Sequence, residues 1–368
     1  MCATELAPGQ VVVTFRHNIA SGCPPRSLRG GRDAGHYGRM TRRPTSPGAE
    51  DLLGLYFPVL DHGFVALVDY MGTDECIERA ARVSYGYGTR QTSQTRGLIR
   101  YLRRHLHTTP SEMVEFKFHC CMPMFVARQW IRHRSASVNE YSGRYSLMPM
   151  LFHLPSREQL QTQSRSNNQG RSGDTVPDAV YKEALRRWEK IREESRDTYE
   201  WLTGEDVARE LARIDLPLST FTQWYWKIDL HNLLHFLTLR VDRHAQWEIQ
   251  EYGRVIAGML KRAAPLSYEA WIDFDVCGAR LSRAELTALR RLVDRKGDGL
   301  EAKDGAALTA AELNSIGLSK REARELFEKL ADTSVPDFEL DLSRAQTAES
   351  FAARFAQAVP KGDKAPAE

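Results

Sequence analysis

The chain is short of several features that would place it in a class at once. No window approaches the roughly 18 consecutive apolar residues of a membrane-spanning helix. The first thirty residues hold no apolar stretch followed by a small-residue cleavage site, so secretion is not expected. The six cysteines (Cys2, Cys23, Cys76, Cys120, Cys121 and Cys277) include no Cys-x-x-Cys pair, and no paired Cys/His ligands recur. Neither a zinc site nor a disulfide framework is therefore expected, and a reducing cytoplasm is the natural setting. A charge excess is also nearly absent. Lys and Arg number 51 against 48 Asp and Glu, a net +3, too little by itself to mark a nucleic-acid binder.

The 368 residues are 42% hydrophobic and 27% charged, close to the soluble globular average. Within them the charge is uneven. Residues 1–50 hold seven arginines against three acids, so the remainder nets slightly negative. Residues 1–51 are rich in Gly, Pro, Ser and Arg and lack a hydrophobic period, which reads as a disordered basic extension or, on its Arg-rich composition, a targeting arm. Ordered sequence is expected from Leu52. The residues divide into a core over 52–275 and a helical C-terminal extension with a frayed tail over 276–368.

Gly63 to Asp69 reads as a strand, and Phe116 to Cys120 alternates with period two as a half-buried strand does. Pro123 suits the first turn of a helix carrying Phe125 to about Arg132. Residues 161–176 read as a polar loop. A helix is expected over 179–202, and another from near Leu230 past Met259, where Ile249, Tyr252, Ile256 and Met259 share one face. Past Cys277, Ser282 with Glu285, Thr309 with Glu312, and Ser319 with Glu322 form capping-box patterns. Asp294 to Gly299 resembles the start of a calcium loop, but Lys296 and Gly305 stand at the third and twelfth positions, where ligands are needed. A helix–helix turn is the better reading.

The densest polar cluster runs from Arg128 to Arg144, with four arginines in seventeen positions directly after an apolar helix. Arg128 and Arg132 lie one helical turn apart. A guanidinium fork matches phosphate oxygens in bidentate geometry, so the cluster suits a phosphorylated ligand. The plain alternative is a solvated helix end. Against it, Trp130, Ile131 and Tyr141 interleave the arginines, and the run ends in Ser-Gly-Arg, where glycine permits close backbone approach. A second cluster, His231 to Trp247, sets His231, His235 and Arg240 among leucines. An arginine in apolar surroundings is costly without a partner, so it should meet an anion or an acid. The third, His105 to Glu112, is also readable as a capped turn into the next strand.

These residues resemble the flavin-dependent thymidylate synthases. The family's signature, Arg-His-Arg followed after seven residues by Ser, stands as Arg132-His133-Arg134 and Ser142. Ala127 to Trp130, Asn139 to Tyr145, Ala81 to Ser84, His107-x-Thr-Pro-x-Glu112, Ala212 to Leu218 and Leu239 to Glu248 match in order, over roughly residues 52–275. The resemblance implies an α+β fold with long helices and an antiparallel sheet. It also implies a homotetramer whose active sites are assembled from several subunits. The implied reaction makes thymidylate from deoxyuridine monophosphate, with methylenetetrahydrofolate as carbon donor and FAD, reduced by NADPH, as hydride source.

By the same resemblance the nucleotide contacts are Gln129, Arg132, Glu140, Tyr141, Ser142, Gly143, Arg144, Arg213 and Arg240. The flavin contacts are Ser84, Thr109, Glu112, Arg132, His133, Arg134, Glu140, Asp229, His231, His235 and His244. His107 matches a histidine near the reacting groups. Thr108 and Met113 depart from some members, at the folate end.

The chemistry agrees. Uracil carbon five is a poor nucleophile until negative charge builds on the ring, and Arg240 in a low dielectric can stabilise ring deprotonation without a covalent cysteine. Ser142 has no evident base to activate it and is assigned to positioning. Arg144, Arg213 and Arg240 are expected to converge on one pocket. A nucleic-acid binder is the rival from another class, disfavoured because the core carries no basic excess and no recognition motif. A partner-docking role for 276–368 is compatible with the enzyme reading.

Overall fold

The strand pattern around Phe116 has a direct structural counterpart. In the computed structural model, which describes residues 43–83, 95–165, 170–305 and 308–360, Phe116, Phe118 and Cys120 point into the core while Glu115, Lys117 and His119 are only half-buried. Along the chain the elements begin with α1 (Pro47–Glu50), β1 (Tyr56–Val59), β2 (Gly63–Met71), α2 (Asp74–Val83), α3 (Thr95–Arg104), α4 (Thr109–Glu112), β3 (Glu115–Pro123), α5 (Met124–Trp130) and β4 (Ser137–Glu140). They continue with β5 (Gln161–Gln163), β6 (Arg171–Thr175), α6 (Asp178–Gly204), α7 (Arg209–Ala212), β7 (Phe221–Asp229), α8 (Leu230–Arg240), α9 (Trp247–Ala263) and α10 (Pro265–Trp271), which runs into a π-helical turn at Ile272–Val276. The chain then forms α11 (Arg283–Leu292), β8 (Val293–Lys296), β9 (Gly299–Ala302), α12 (Ala310–Ser315), α13 (Lys320–Ala331) and α14 (Ala348–Ala358).

The main sheet has five strands in the order β1-β2-β3-β7-β4, antiparallel throughout. Lys117 to Asp69 and Lys227 to Glu115, at 3.2 and 2.8 Å, are opposite-charge pairs across neighbouring strands, an arrangement that supports register. The large core joins this sheet to α8, α9 and α10, with Trp130, Trp226, Trp271 and Tyr252 fully buried. Trp130 plugs it from α5. Its ring stacks on Phe236 at 5.0 Å and meets Trp224 and Trp226 edge-on at 5.7 and 5.1 Å. The short helix bearing the arginine cluster is thereby locked to the sheet.

Five expectations change. Order begins before Leu52: Ser46 donates to the Ala263 carbonyl at 2.7 Å, and Ala49 and Leu52 are wholly buried. Pro123 ends β3 and is the N-cap of α5, one position earlier than expected. The single long helix from Leu230 is two helices. Asp242 accepts from the His244 amide and pairs with its ring, at 2.7 and 2.9 Å, and such local side-chain bonds offer the backbone an alternative to helix. The apolar face Ile249, Tyr252, Ile256 and Met259 is buried on α9.

Within the expected loop, Gln161–Gln163 and Arg171–Thr175 pair as the antiparallel strands β5 and β6. These strands are mostly exposed and polar, so no hydrophobic alternation announced them. The calcium look-alike is the hairpin β8–β9, not a helix–helix turn. Lys296 pairs with Gly299, leaving the two-residue loop Gly297-Asp298, with Gly297 at φ +59°, where a type II′ turn calls for glycine.

All three capping boxes form and start the helices of a small cluster around Ala288, Leu313, Leu318 and Leu326. Beyond it the chain returns to the main core. Phe338 packs against Trp271 at 5.8 Å, Gln346 bridges to Tyr56 on the outer edge of β1, and Phe351 covers Phe64 at 4.7 Å.

Candidate active site

The carboxyl end of α5 and the carboxyl end of α8 meet. Arg240, the last residue of α8, is half-buried and donates from Nε to His133 Nε2 at 3.0 Å and from Nη2 to the Gln129 carbonyl at 3.4 Å. No carboxylate among the described residues pairs with it, and burial pushes its guanidinium below the ordinary value. His133 is pushed down to about 4, by burial first and then by Arg240 and His235, so it is neutral at physiological pH. Its ring lies 4.9 Å from Phe236 and 6.1 Å from His235. The Gln129 side chain reaches across to Gln246. Arg128, Arg132 and Arg134 are exposed, and no ion pair with them occurs among the described residues.

His231 and His235 follow one another on α8 at one-turn spacing. His231 is pushed down by burial first and by Arg103, with Asp229 and Glu112 opposing, and its Nδ1 is buried without a partner among the described residues. Glu112 reaches this neighbourhood because the Leu230 amide donates to Val114 O at 2.7 Å, tying α4 to the start of α8. Asp229 caps α8, accepting from the Asn232 amide at 2.9 Å. Thr109, His107 and His244 are exposed. The ring of His107 sits edge-on to Tyr101 at 5.8 Å. Ser84 lies outside the described residues.

A second group forms after β4. Glu140 accepts from Thr222 Oγ1 at 2.7 Å, and Tyr141 donates from its hydroxyl to the Leu147 carbonyl. Gly143 is buried; a Cβ there would lie 2.8 Å from Met148 Sδ and 3.1 Å from Arg213 Cδ. Ser142 Oγ accepts from the Arg144 amide at 3.3 Å, and Arg144 pairs with Glu210 at 3.1 Å. Beside them opens a cleft of about 690 Å³ walled by Arg144, Tyr145, Leu147, Arg209 and Glu210.

Arg213 Cδ approaches Gly143, next to Arg144, while Arg240 bonds to His133 and Gln129; no hydrogen bond or ion pair among the described residues joins the two groups. Sequence reasoning also missed Glu210, Thr222, Gln246 and Met148. Gln246 lies inside a matched block, but its partner is 117 residues away, and such pairings leave no local signal.

A family described as thymidylate synthase complementing protein matches residues 66–266. A flavin-dependent thymidylate synthase of Gluconobacter oxydans is 49% identical over 293 residues, which cover 78% of this chain and 91% of that one. The chain belongs to the flavin-dependent thymidylate synthases. The synthase of Rickettsia bellii is 44% identical over 301 residues, covering 78% of this chain and 97% of its own. Among solved structures, the UMP/dUMP methylase PolB of Streptomyces cacaoi, bound with 5-Br dUMP, superposes with a TM-score of 0.54 at 29% identity. It covers 59% of this chain and 97% of PolB. The same methylase bound with 5-Br UMP gives 0.53 at 30% identity, over 60% and 97%. The α+β class and the enzyme reading both follow for this thymidylate synthase, as does a flavin cofactor. The family match ends within α10, so the cluster around Leu313 and the returning segment lie outside it. No described helix is long and apolar enough to cross a membrane.

Proposed function

We propose that the enzyme converts deoxyuridine monophosphate to thymidine monophosphate, with methylenetetrahydrofolate as carbon donor, FAD as its flavin and NADPH as reductant. It acts in the cytoplasm as a homotetramer with shared sites, without a cysteine nucleophile. PolB, crystallised with 5-Br dUMP, supports the nucleotide assignment.

The residues present suit a flavin. Arg132 and Arg134 are exposed cations without ion pairs among the described residues, fit for a pyrophosphate, and His231 Nδ1 is buried with no partner among those residues. With Thr109, Glu112, His133, Glu140, Asp229, His235, His244 and Ser84 they are the residues that would hold it. When bound, the flavin supplies the hydride, while the protein orients and stabilises charge.

The observation that carries the reading is Arg240: a half-buried guanidinium whose partners are both neutral. Such a charge is available to the ring nitrogen between the two uracil carbonyls, where negative charge must build for carbon five to attack. Gly143 lets the backbone approach the nucleotide closely. Arg144, Arg213 and Ser142 take its phosphate, Gln129, Arg132, Glu140 and Tyr141 line its path, and His107 stands by the carbon transfer. Cys120 and Cys121 are wholly buried, and burial holds their thiols well above the ordinary value, which supports a mechanism that needs neither.

The test is Arg240→Ala in flavin-loaded enzyme, read as tritium release from carbon five of the nucleotide. Loss of one such electrostatic donor should slow release by roughly 100- to 1,000-fold. Undiminished release refutes the role. Chromatography of the flavin released on denaturation checks FAD, and bleaching of its absorbance by NADPH without air checks the reductant.

A further inference from the structure

Two other half-buried arginines are answered by acids: Arg103 pairs with Asp275 at 2.5 Å, and Arg171 pairs with Glu248; Arg192 donates to the His153 carbonyl. Arg240 is answered by an imidazole and a carbonyl. We propose that His133 is a positioning residue that fixes the direction of Arg240 and preserves its charge, by accepting the Nε–H bond through an unprotonated Nε2. This rests on the reading of Arg240 given above and deepens it.

The geometry supplies the reasons. Nε carries the single N–H of the guanidinium that lies along the side chain, so a bond there sets the plane of the head. With Nη2 turned to the Gln129 carbonyl, the Nη1 edge has no protein partner among the described residues. A carboxylate in place of His133 would answer the positive charge before any substrate anion arrived; a neutral acceptor does not. Because Nε2 accepts, the ring proton is assigned to Nδ1. The Phe236 ring meets the imidazole at 79° and holds its plane. The titratable and charged groups facing His133 from α8 are Arg240 and His235, with Arg132 and Arg134 beside it in its own segment. Burial first, then Arg240 and His235, keep it neutral down to about pH 4.

Two variants of the holoenzyme test this, with FAD saturating and bound flavin followed by absorbance. His133→Leu removes the acceptor and should slow tritium release about tenfold, the effect of losing one hydrogen bond to a charged group. His133→Gln restores an acceptor oxygen and should recover most of the rate. The wild-type enzyme should show no loss of release attributable to residue 133 near pH 6.5, only near 4. Leucine without effect, or glutamine without rescue, overturns the proposal. Should leucine prevent flavin binding, nitrogen NMR of histidine-labelled wild-type holoenzyme decides: an unprotonated Nε2 on His133 at neutral pH supports it, and an Nε2–H overturns it. The outcomes separate from those of the underlying reading. Arg240→Ala with full release sinks that reading, whereas its failure beside an intact His133→Leu enzyme sinks only this one.

Discussion

Arg240 and Arg144 are both guanidiniums expected at the same nucleotide, yet they are prepared in opposite ways. Arg240 sits at the end of α8, half-buried, on neutral partners. Arg144 lies exposed in the turn after β4, paired with Glu210 across solvent. The first is organised beforehand and keeps its charge free, as stabilising a developing anion requires. The second must exchange one anion for another, which suits capture of a phosphate that already carries its charge.

The contrast can be broken at several points. Its foundation is Trp130, whose replacement by Ala should cost about 3–5 kcal/mol of stability in denaturant unfolding. That variant should loosen the Arg240 group while leaving the Gly143 turn intact. Gly143→Ala tests the other side. The added Cβ meets Met148 and Arg213, and overpacking of about 1–3 kcal/mol should raise KM for the nucleotide at least several-fold with little change in flavin content. An unchanged KM would mean that nothing passes close to that backbone.

Acidification distinguishes the two groups further. The unfolded chain protonates His133 at the ordinary 6.5 and the folded chain only at about 4. Its contribution to stability is therefore complete above pH 6.5 and fades as pH falls toward 4. Unfolding midpoints of wild type and His133→Gln should diverge above that window and approach one another below it. Smaller still is Glu210→Gln, which frees Arg144 from an exposed pair worth about 0.2–1 kcal/mol and should lower the nucleotide KM by no more than about fivefold. A higher KM would show that Glu210 positions Arg144 rather than competing for it.

The sequence was most informative where a residue type does one job locally. Period-two alternation marked β3, the three capping boxes marked their helices, and the apolar face of α9 was read residue by residue. It was least informative where polar side chains make the structure. Asp242 breaks a helix whose hydrophobic face runs on, and the β5–β6 hairpin is built without an apolar stripe. The matched blocks named Arg144, Arg213 and Arg240 together, because a linear pattern carries no distances. The pairing of Arg240 with His133 depends on packing between α5 and α8 that no local pattern encodes.

The returning segment around Gln346 and Phe351 also bears on how the enzyme can be handled. A protein cut after the π-helical turn at Val276 would retain each matched motif yet lose the cover over the outer rim of β1 and the aromatic face of Phe64. Unpaired strand rims of that kind recruit other chains. Such a shortened form should clump in solution before it falters in turnover, so poor yield of a minimal version would report on its missing tail rather than on its chemistry.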